Sequence, residues 1–157
     1  MKAVREIIGG FVHEYLQTIA GGAEQQQGEL NVFYWAGVHN ACEGHMPHIH
    51  ERSVVSGTFY ISTPKGAGDL VLEDPRGRLP PFGQRLVVRP TPGLLVLFPP
   101  WLVHFVTATC AGTATTGGGD DAGPRIAISF NVVGDDNTAW QATSGASLVV
   151  KQFAEIR

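Results

Sequence analysis

The sequence is poor in cysteine and has no long hydrophobic run. Only Cys42 and Cys110 occur among its 157 residues, which excludes the disulfide framework that stabilises many small secreted domains. We expect two reduced thiols in a cytoplasmic protein, and a single bridge between them stays open. No apolar run approaches the ~20 residues of a membrane-spanning helix. The first turns mix acidic and basic residues, so we expect no signal peptide.

Charged residues are also scarce and nearly balanced. They make up 16% of the chain, and the net charge is −3 at pH 7. Nucleic acids and anionic membranes bind basic surfaces, which this balance does not supply. The hydrophobic fraction of 43% is typical of a globular protein that buries its own core. We therefore expect a single domain over residues 1–157, with a homodimer as one arrangement left open.

Glycine and proline, by contrast, are abundant, with twenty and ten residues. They cluster between short apolar or alternating runs, a pattern that is typical of β-strands joined by turns. These runs lie at 32–38, 53–62, 69–73, 85–90, 93–98, 102–108 and 125–133. The pattern predicts a mainly β protein whose core, over residues 30–133, is an antiparallel sandwich or barrel.

Three segments outside these strands have other patterns. Residues 1–21 carry apolar side chains at three-and-four spacing, which predicts an amphipathic helix flanking the barrel. Residues 138–156 have a weaker helical signal and predict a C-terminal helix. Residues 111–124 form a Gly/Thr/Asp segment, A-G-T-A-T-T-G-G-G-D-D-A-G-P. Its composition predicts a flexible surface loop between two strands.

Histidines cluster in the stretch H-M-P-H-I-H at 45–50. His48 and His50 are two residues apart, so on an extended backbone both side chains project from the same face. Two imidazoles on one face hold a first-row metal ion if a third ligand arrives from elsewhere. His104, which follows a Pro-Pro turn, is the strongest candidate. A lone histidine there is more often a satisfied core residue, but beside an H-x-H pair we favour ligation.

The strand R-I-A-I-S-F-N-V-V at 125–133 carries a second chemical signal. Its alternation puts Arg125 and Ser129 on one face and the large apolar residues on the other. If the first face is interior, the buried guanidinium needs an anionic partner. A carboxylate supplies one through a bidentate pair, to which Ser129 adds a hydroxyl hydrogen bond. The alternative is that Arg125 merely begins an exposed strand, and the two interpretations are about equally supported.

Five ordered blocks together resemble a known family. They are H-x-H at 48–50, S-G-x-x-Y at 56–60, G-x-L-x-x-x-D-P-R at 68–76, L-F-P-x-W-L-x-H-x-V at 97–106 and R-I-x-I-S-F-N at 125–131. In this order they resemble the small 2-oxoglutarate/Fe(II)-dependent oxygenases related to prolyl hydroxylases, over roughly residues 32–133. The resemblance implies a double-stranded β-helix, or cupin-like jelly roll, with Fe(II) at its open end.

The resemblance also implies an activity and residue roles. His48, His50 and His104 would ligate iron, and Arg125 would pair with the distal carboxylate of 2-oxoglutarate with help from Tyr60. The enzyme would use O2 to convert 2-oxoglutarate to succinate and CO2 while hydroxylating a substrate. That substrate is either a small molecule or a protein side chain, and the residue pattern does not choose between them.

One position departs from the wider superfamily, whose iron ligands are two histidines and one carboxylate. His50 stands in the carboxylate's place, so Glu43, His45 and Glu51 remain alternative third ligands. A rival hypothesis is a cupin-like three-histidine metalloprotein that does not use 2-oxoglutarate, such as a thiol dioxygenase or an isomerase. A third is a non-catalytic barrel that only binds. An interior Arg125 favours the 2-oxoglutarate enzyme, and a solvent-facing one favours the cupin-like protein.

Four other residues are weaker candidates for pocket or substrate contacts. Trp101 lies close to His104 in the sequence and is expected to form a packing wall. Trp35 and Asn40 precede the histidine cluster, although Trp35 in a strand is most simply a core residue. Arg76 belongs to Asp-Pro-Arg, which we interpret as a turn in preference to a substrate contact at the rim.

Overall fold

The computed structural model describes residues 2–19, 30–108, 123–134 and 149–152. These residues contain one helix and nine strands. The elements are α1 (Lys2–Ile19), β1 (Asn31–His39), β2 (His45–His48), β3 (Val55–Ser62), β4 (Leu70–Glu73), β5 (Arg85–Val88), β6 (Leu94–Phe98), β7 (His104–Val106), β8 (Arg125–Val133) and β9 (Val149–Gln152). The mainly β architecture and the N-terminal helix agree with the prediction from sequence.

The strands form two antiparallel sheets. The larger has the order β1-β8-β3-β6-β9 and the smaller has the order β2-β7-β4-β5. Over the first eight strands the chain passes from one sheet to the other at every connection except that between β4 and β5. Eight strands wound in this way into two facing sheets form a jelly roll. The predicted fold class is therefore confirmed.

The central strands of the larger sheet, β3 and β6, are buried on both faces. The outer face of the sheet packs against α1, which contributes the side chains Ile8, Val12, Tyr15 and Leu16. The spacing of these four residues places them on one side of the helix. The inner face contacts the smaller sheet through a second apolar cluster: Tyr60, Leu70, Leu72, Leu94, Val96, Phe98 and Ala127. Since each fully buried apolar side chain of this kind contributes about 1.5–3 kcal/mol, the two clusters hold the sheets and the helix in place.

The predicted C-terminal helix at 138–156 is wrong where the structure describes it. Val149–Gln152 form β9, which pairs antiparallel with β6 at the edge of the larger sheet. The adjacent β-branched Val149 and Val150 favour a strand, and the edge of β6 offers unpaired N–H and C=O groups. The Gln152 side chain also hydrogen-bonds the turn before β6. The rest of 138–156 and the predicted loop at 111–124, as far as residue 122, lie outside the described residues.

β2 was not predicted as a separate strand. It has four residues and contains Pro47, which lacks the N–H donor of a regular strand position. It pairs with β7 at two points, His45 opposite Val106 and His48 opposite His104, with an irregularity between them. This short pairing brings two of the candidate ligands together.

Gly57 lies at the closest contact between β3 and its neighbours. A Cβ at this position would contact the Phe130 ring and lie 2.7 Å from the Val96 carbonyl oxygen. Val96 belongs to β6 and Phe130 to β8, so any side chain here would push against both strands beside β3.

We expect Gly57→Ala to lower the free energy of unfolding by about 1–3 kcal/mol, the usual cost of overpacking a core. Gly10→Ala is the matched control, because nothing lies within 4 Å of a Cβ added at this exposed helix position. The control should raise stability by up to about 1 kcal/mol, since alanine favours helix more than glycine does. Urea unfolding measures both changes, and equal effects would contradict the tight contact at Gly57.

Candidate metal centre

Three histidines from different segments meet between the two sheets. His48 ends β2 and His104 begins β7, and the two lie directly opposite each other in the strand pairing. His50 follows β2, where its backbone N–H donates to the Pro100 carbonyl at 2.9 Å. One ligand nitrogen from each histidine lies within 4.8 Å of the other two. This distance is short enough for all three to bind a single ion.

Backbone carbonyls fix the rings of two of these histidines. His48 Nδ1 donates to the Met46 carbonyl at 2.7 Å, and His104 Nδ1 donates to the Leu102 carbonyl at 2.8 Å. A ring that carries its proton on Nδ1 keeps the lone pair on Nε2, the usual arrangement of a metal-bound histidine. The donor set therefore fits a first-row transition metal such as iron.

Burial favours the uncharged form of two of the three candidate ligands, His50 and His104. It is the main cause that lowers the pKa of His50 to about 4, with a further contribution from the nearby His48. Burial likewise lowers the pKa of His104 to about 4, although the bond to the Leu102 carbonyl acts in the opposite direction. Neutral imidazole is the form that binds a metal, so near neutral pH these two rings need not lose a proton first.

The three rings line a cavity of about 410 Å³. The same cavity is lined by two residues predicted to bind 2-oxoglutarate, Arg125 and Ser129. Ser129 lies opposite Thr58 on β3 and opposite Trp35 on β1. Arg125 therefore faces the interior, a placement that the sequence alone left undecided.

Arg125 and Tyr60 are both buried beside this cavity. Arg125 is 3% exposed and Tyr60 is 0% exposed, and the guanidinium carbon lies 5.0 Å from the centre of the tyrosine ring. Within the part of the chain that the structure describes, Arg125 Nε and the Tyr60 hydroxyl have no hydrogen-bond partner. Burial raises the pKa of Tyr60, with Arg125 opposing it, so the phenol stays protonated. A buried donor without a partner costs about 1–3 kcal/mol, which an anionic ligand would recover.

Of the four weaker candidates, only Trp35 lines the cavity. Its ring centre lies 5.9 Å from that of His50, and it is 42% exposed, so it is not the core residue that we considered simplest. Arg76 instead forms two hydrogen bonds to Asp74, which supports the turn interpretation. Asn40 donates to Glu43. Trp101 is not among the described residues that line the cavity.

The alternative third ligands do not join the cluster. Among the described residues, the group able to hold a metal contains His48, His50 and His104 and no carboxylate. Glu43 and Glu51 are exposed. His45 begins β2, and its ring centre lies 4.5 Å from that of His48.

His39 is a cavity residue that the sequence reasoning missed. It lies opposite Arg125 in the pairing of β1 with β8, and its ring stacks on His45 at 6.2 Å. In the described part of the protein its buried Nδ1 has no hydrogen-bond partner. The signal was present in the alternation of β1, because the face that carries Trp35 also carries His39.

Comparison with known proteins agrees with this geometry. The model of the family described as "Putative 2OG-Fe(II) oxygenase" matches residues 33–131. The chain belongs to this family. The cofactors of the family are Fe(II), 2-oxoglutarate and O2, and the three histidines fit an iron site.

Eighteen chains of solved structures also match. One is a prolyl-4-hydroxylase from Pseudomonas putida, with 18% sequence identity and a TM-score of 0.47. The match covers 64% of the present chain and 50% of the hydroxylase chain, so the present chain spans about half the length of that relative. A search of curated proteins found no match. The described helix lacks the apolar character of a membrane span.

The lowered histidine pKa values predict a pH dependence for the metal-free protein. In the unfolded chain the ordinary pKa is about 6.5, whereas in the folded chain it is about 4 for His50 and His104. Between pH 4 and pH 6.5, these two rings are therefore mainly protonated in the unfolded chain and mainly neutral in the folded one. The contribution of these two rings to the free energy of unfolding is therefore fully present above about pH 6.5 and is lost as the pH falls toward 4.

We expect His104→Leu to make this loss shallower, because it removes one of the histidines whose pKa burial lowers in the folded protein. The measurement is urea unfolding between pH 4 and 7 in the presence of a chelator. His13→Leu on the exposed side of α1 serves as the control. A pH dependence that is the same in His104→Leu and in the wild type would contradict the burial of a neutral ring at this position.

Proposed function

We propose that the protein is an Fe(II)- and 2-oxoglutarate-dependent oxygenase that hydroxylates a C–H bond of its substrate. Membership of the family supports the reaction class. The observation that carries the proposal is the burial of Arg125 in the cavity lined by the three histidines. A buried guanidinium requires an anion, and the distal carboxylate of 2-oxoglutarate supplies one.

The three histidines would hold the metal through their Nε2 atoms. Bound iron supplies the centre at which 2-oxoglutarate and O2 react, so that one oxygen atom enters succinate and the other enters the hydroxylated substrate, with loss of CO2. Because His48, His50 and His104 are neutral ligands, they leave the full charge of the ion unbalanced. That charge favours a dianionic cosubstrate more than a site with a carboxylate ligand does.

Arg125, Tyr60 and Ser129 would bind and orient the cosubstrate. Arg125 offers a fork of donors that matches a carboxylate, and Tyr60 offers a protonated hydroxyl. Ser129 adds a hydroxyl four residues further along the same strand as Arg125. All three stand on the adjacent strands β3 and β8, whose rigidity keeps these donors in position before the ligand arrives.

Apolar side chains would keep bulk water from the reacting centre. Leu70, Phe98 and Val106 line the cavity, and the Phe98 ring centre lies 4.5 Å from that of His104. Excluding water strengthens the electrostatic contacts inside and protects reactive intermediates. Trp35, on the more exposed side, would contact the substrate.

The two rival functions are less well supported. A cupin-like metalloprotein that does not use 2-oxoglutarate would gain no counter-charge for the buried Arg125 from this cosubstrate, and the described residues form no ion pair with it. A non-catalytic barrel would bind iron or 2-oxoglutarate without forming succinate, so turnover separates it from the oxygenase.

The first test is anaerobic titration with Fe(II) and 2-oxoglutarate, followed by exposure to O2. We expect a metal-to-ligand charge-transfer band in the wild type and succinate after oxygen is added. His104→Ala should lose both while keeping its circular dichroism spectrum, and the control His13→Ala should keep both. A band of equal strength in His104→Ala would remove this histidine from the ligand set.

The second test concerns the cosubstrate. We expect Arg125→Met to weaken 2-oxoglutarate binding by about 10- to 150-fold, the equivalent of the 1.5–3 kcal/mol typical of hydrogen bonds to charged groups. Fe(II) affinity should stay unchanged. Arg76→Met, in the turn outside the cavity, is the matched control. The role of Arg125 would be refuted if the charge-transfer band formed in Arg125→Met at the wild-type 2-oxoglutarate concentration.

A further inference from the structure

Asn131 connects the third histidine to the interior of the larger sheet. It lies on β8 opposite Ser56 of β3. Ser56 is fully buried and donates its hydroxyl to Asn131 Oδ1 at 2.7 Å. Asn131 Nδ2 in turn lies 3.2 Å from His50 Nδ1, to which it donates. A chain of two hydrogen bonds thus runs from the core to the histidine that stands where the superfamily has a carboxylate.

The hydrogen-bond partner of His50 differs chemically from the partners of His48 and His104. His48 and His104 donate to backbone carbonyls, which only accept, so their protons are fixed on Nδ1. His50 faces a primary amide, which has one end that donates and one that accepts. In the observed orientation the amide donates, so the neutral His50 ring carries its proton on Nε2. A protonated Nε2 has no lone pair for a metal.

Rotation of the Asn131 amide reverses this arrangement. The terminal torsion of asparagine is roughly two-fold, and a half-turn exchanges Oδ1 with Nδ2. Oδ1 would then accept from His50 Nδ1–H, and Nδ2 would donate to Ser56 Oγ, since a hydroxyl both donates and accepts. Both orientations keep two hydrogen bonds. Only the rotated one leaves the lone pair of His50 on Nε2.

We propose that Asn131 is a positioning residue for the iron site, whose amide rotates when the metal binds and so sets the tautomer of His50. The inference rests on the proposed iron site. A carboxylate ligand has no tautomer to set, whereas a third histidine does. The Ser56 hydroxyl follows the rotation by changing from donor to acceptor.

The direct test is two-bond 1H–15N NMR spectroscopy of the ring nitrogens, without metal and with Zn(II) as a diamagnetic probe. In the metal-free protein we expect the proton on Nε2 of His50 and on Nδ1 of His48 and His104. With Zn(II) bound, all three rings should carry it on Nδ1. A metal-free His50 that already carries its proton on Nδ1 would overturn the proposed rotation.

Metal affinity gives a second, independent readout. Asn131→Asp offers His50 an acceptor alone, so we expect Zn(II) and Fe(II) to bind more tightly. Asn131→Leu removes the partner and should weaken both by about 10- to 100-fold, as loss of a residue that supports a ligand does. Ser62→Ala is the control, because this serine lies on the same strand as Ser56 but donates to the Pro124 carbonyl instead. Its metal affinities should match those of the wild type.

The outcomes separate the two proposals. A wild-type protein that binds neither Zn(II) nor Fe(II) would overturn the iron site and the role of Asn131 together. Metal binding that is the same in Asn131→Asp, Asn131→Leu and Ser62→Ala would overturn only the role of Asn131. Should Asn131→Leu fail to fold, the wild-type spectra and Asn131→Asp still decide the question.

Discussion

The backbone pairing of β2 with β7 is the interaction on which the candidate metal centre depends. It joins a four-residue strand to a three-residue one and places His48 directly opposite His104. The bond from His50 N–H to the Pro100 carbonyl ties the next turn of chain to the segment just before β7. Two short backbone contacts thus bring His48 and His50 close to His104, although they precede it in sequence by 56 and 54 residues. The rest of the smaller sheet holds β7 in place through β4.

The larger sheet supplies the polar side of the cavity. Its outer face is sealed by α1, so the inner face can carry polar residues without loss of the core. Within the residues that the structure describes, Arg125 Nε and the Tyr60 hydroxyl are buried there without hydrogen-bond partners, which is unfavourable until a ligand supplies them. An anionic ligand that accepts hydrogen bonds from these donors would remove this unfavourable free energy. The sheet fixes the position of the donors and so the place where such a ligand would bind.

Sequence predicted the faces of β8 correctly because a nine-residue strand with regular alternation has one unambiguous period. The same logic, applied to β1, would have found His39. Periodicity failed to identify β9, because four residues are too few to distinguish the spacing of a helix from that of a strand. The segment forms a strand because it pairs with the free edge of β6. Trp101 is near His104 in sequence yet lies outside the cavity lining, because the turn before β7 changes the direction of the chain. The contact of Asn131 with His50 joins residues far apart in sequence, and no local pattern signals it.

The central claim is that three neutral histidines, with no carboxylate, hold the iron. X-ray absorption spectroscopy of the Fe(II) protein with 2-oxoglutarate bound counts the imidazole rings at the metal through their characteristic outer-shell scattering. Three rings are expected, falling to two in His50→Ala. Two rings in the wild type, together with a carboxylate oxygen from the protein, would contradict the claim.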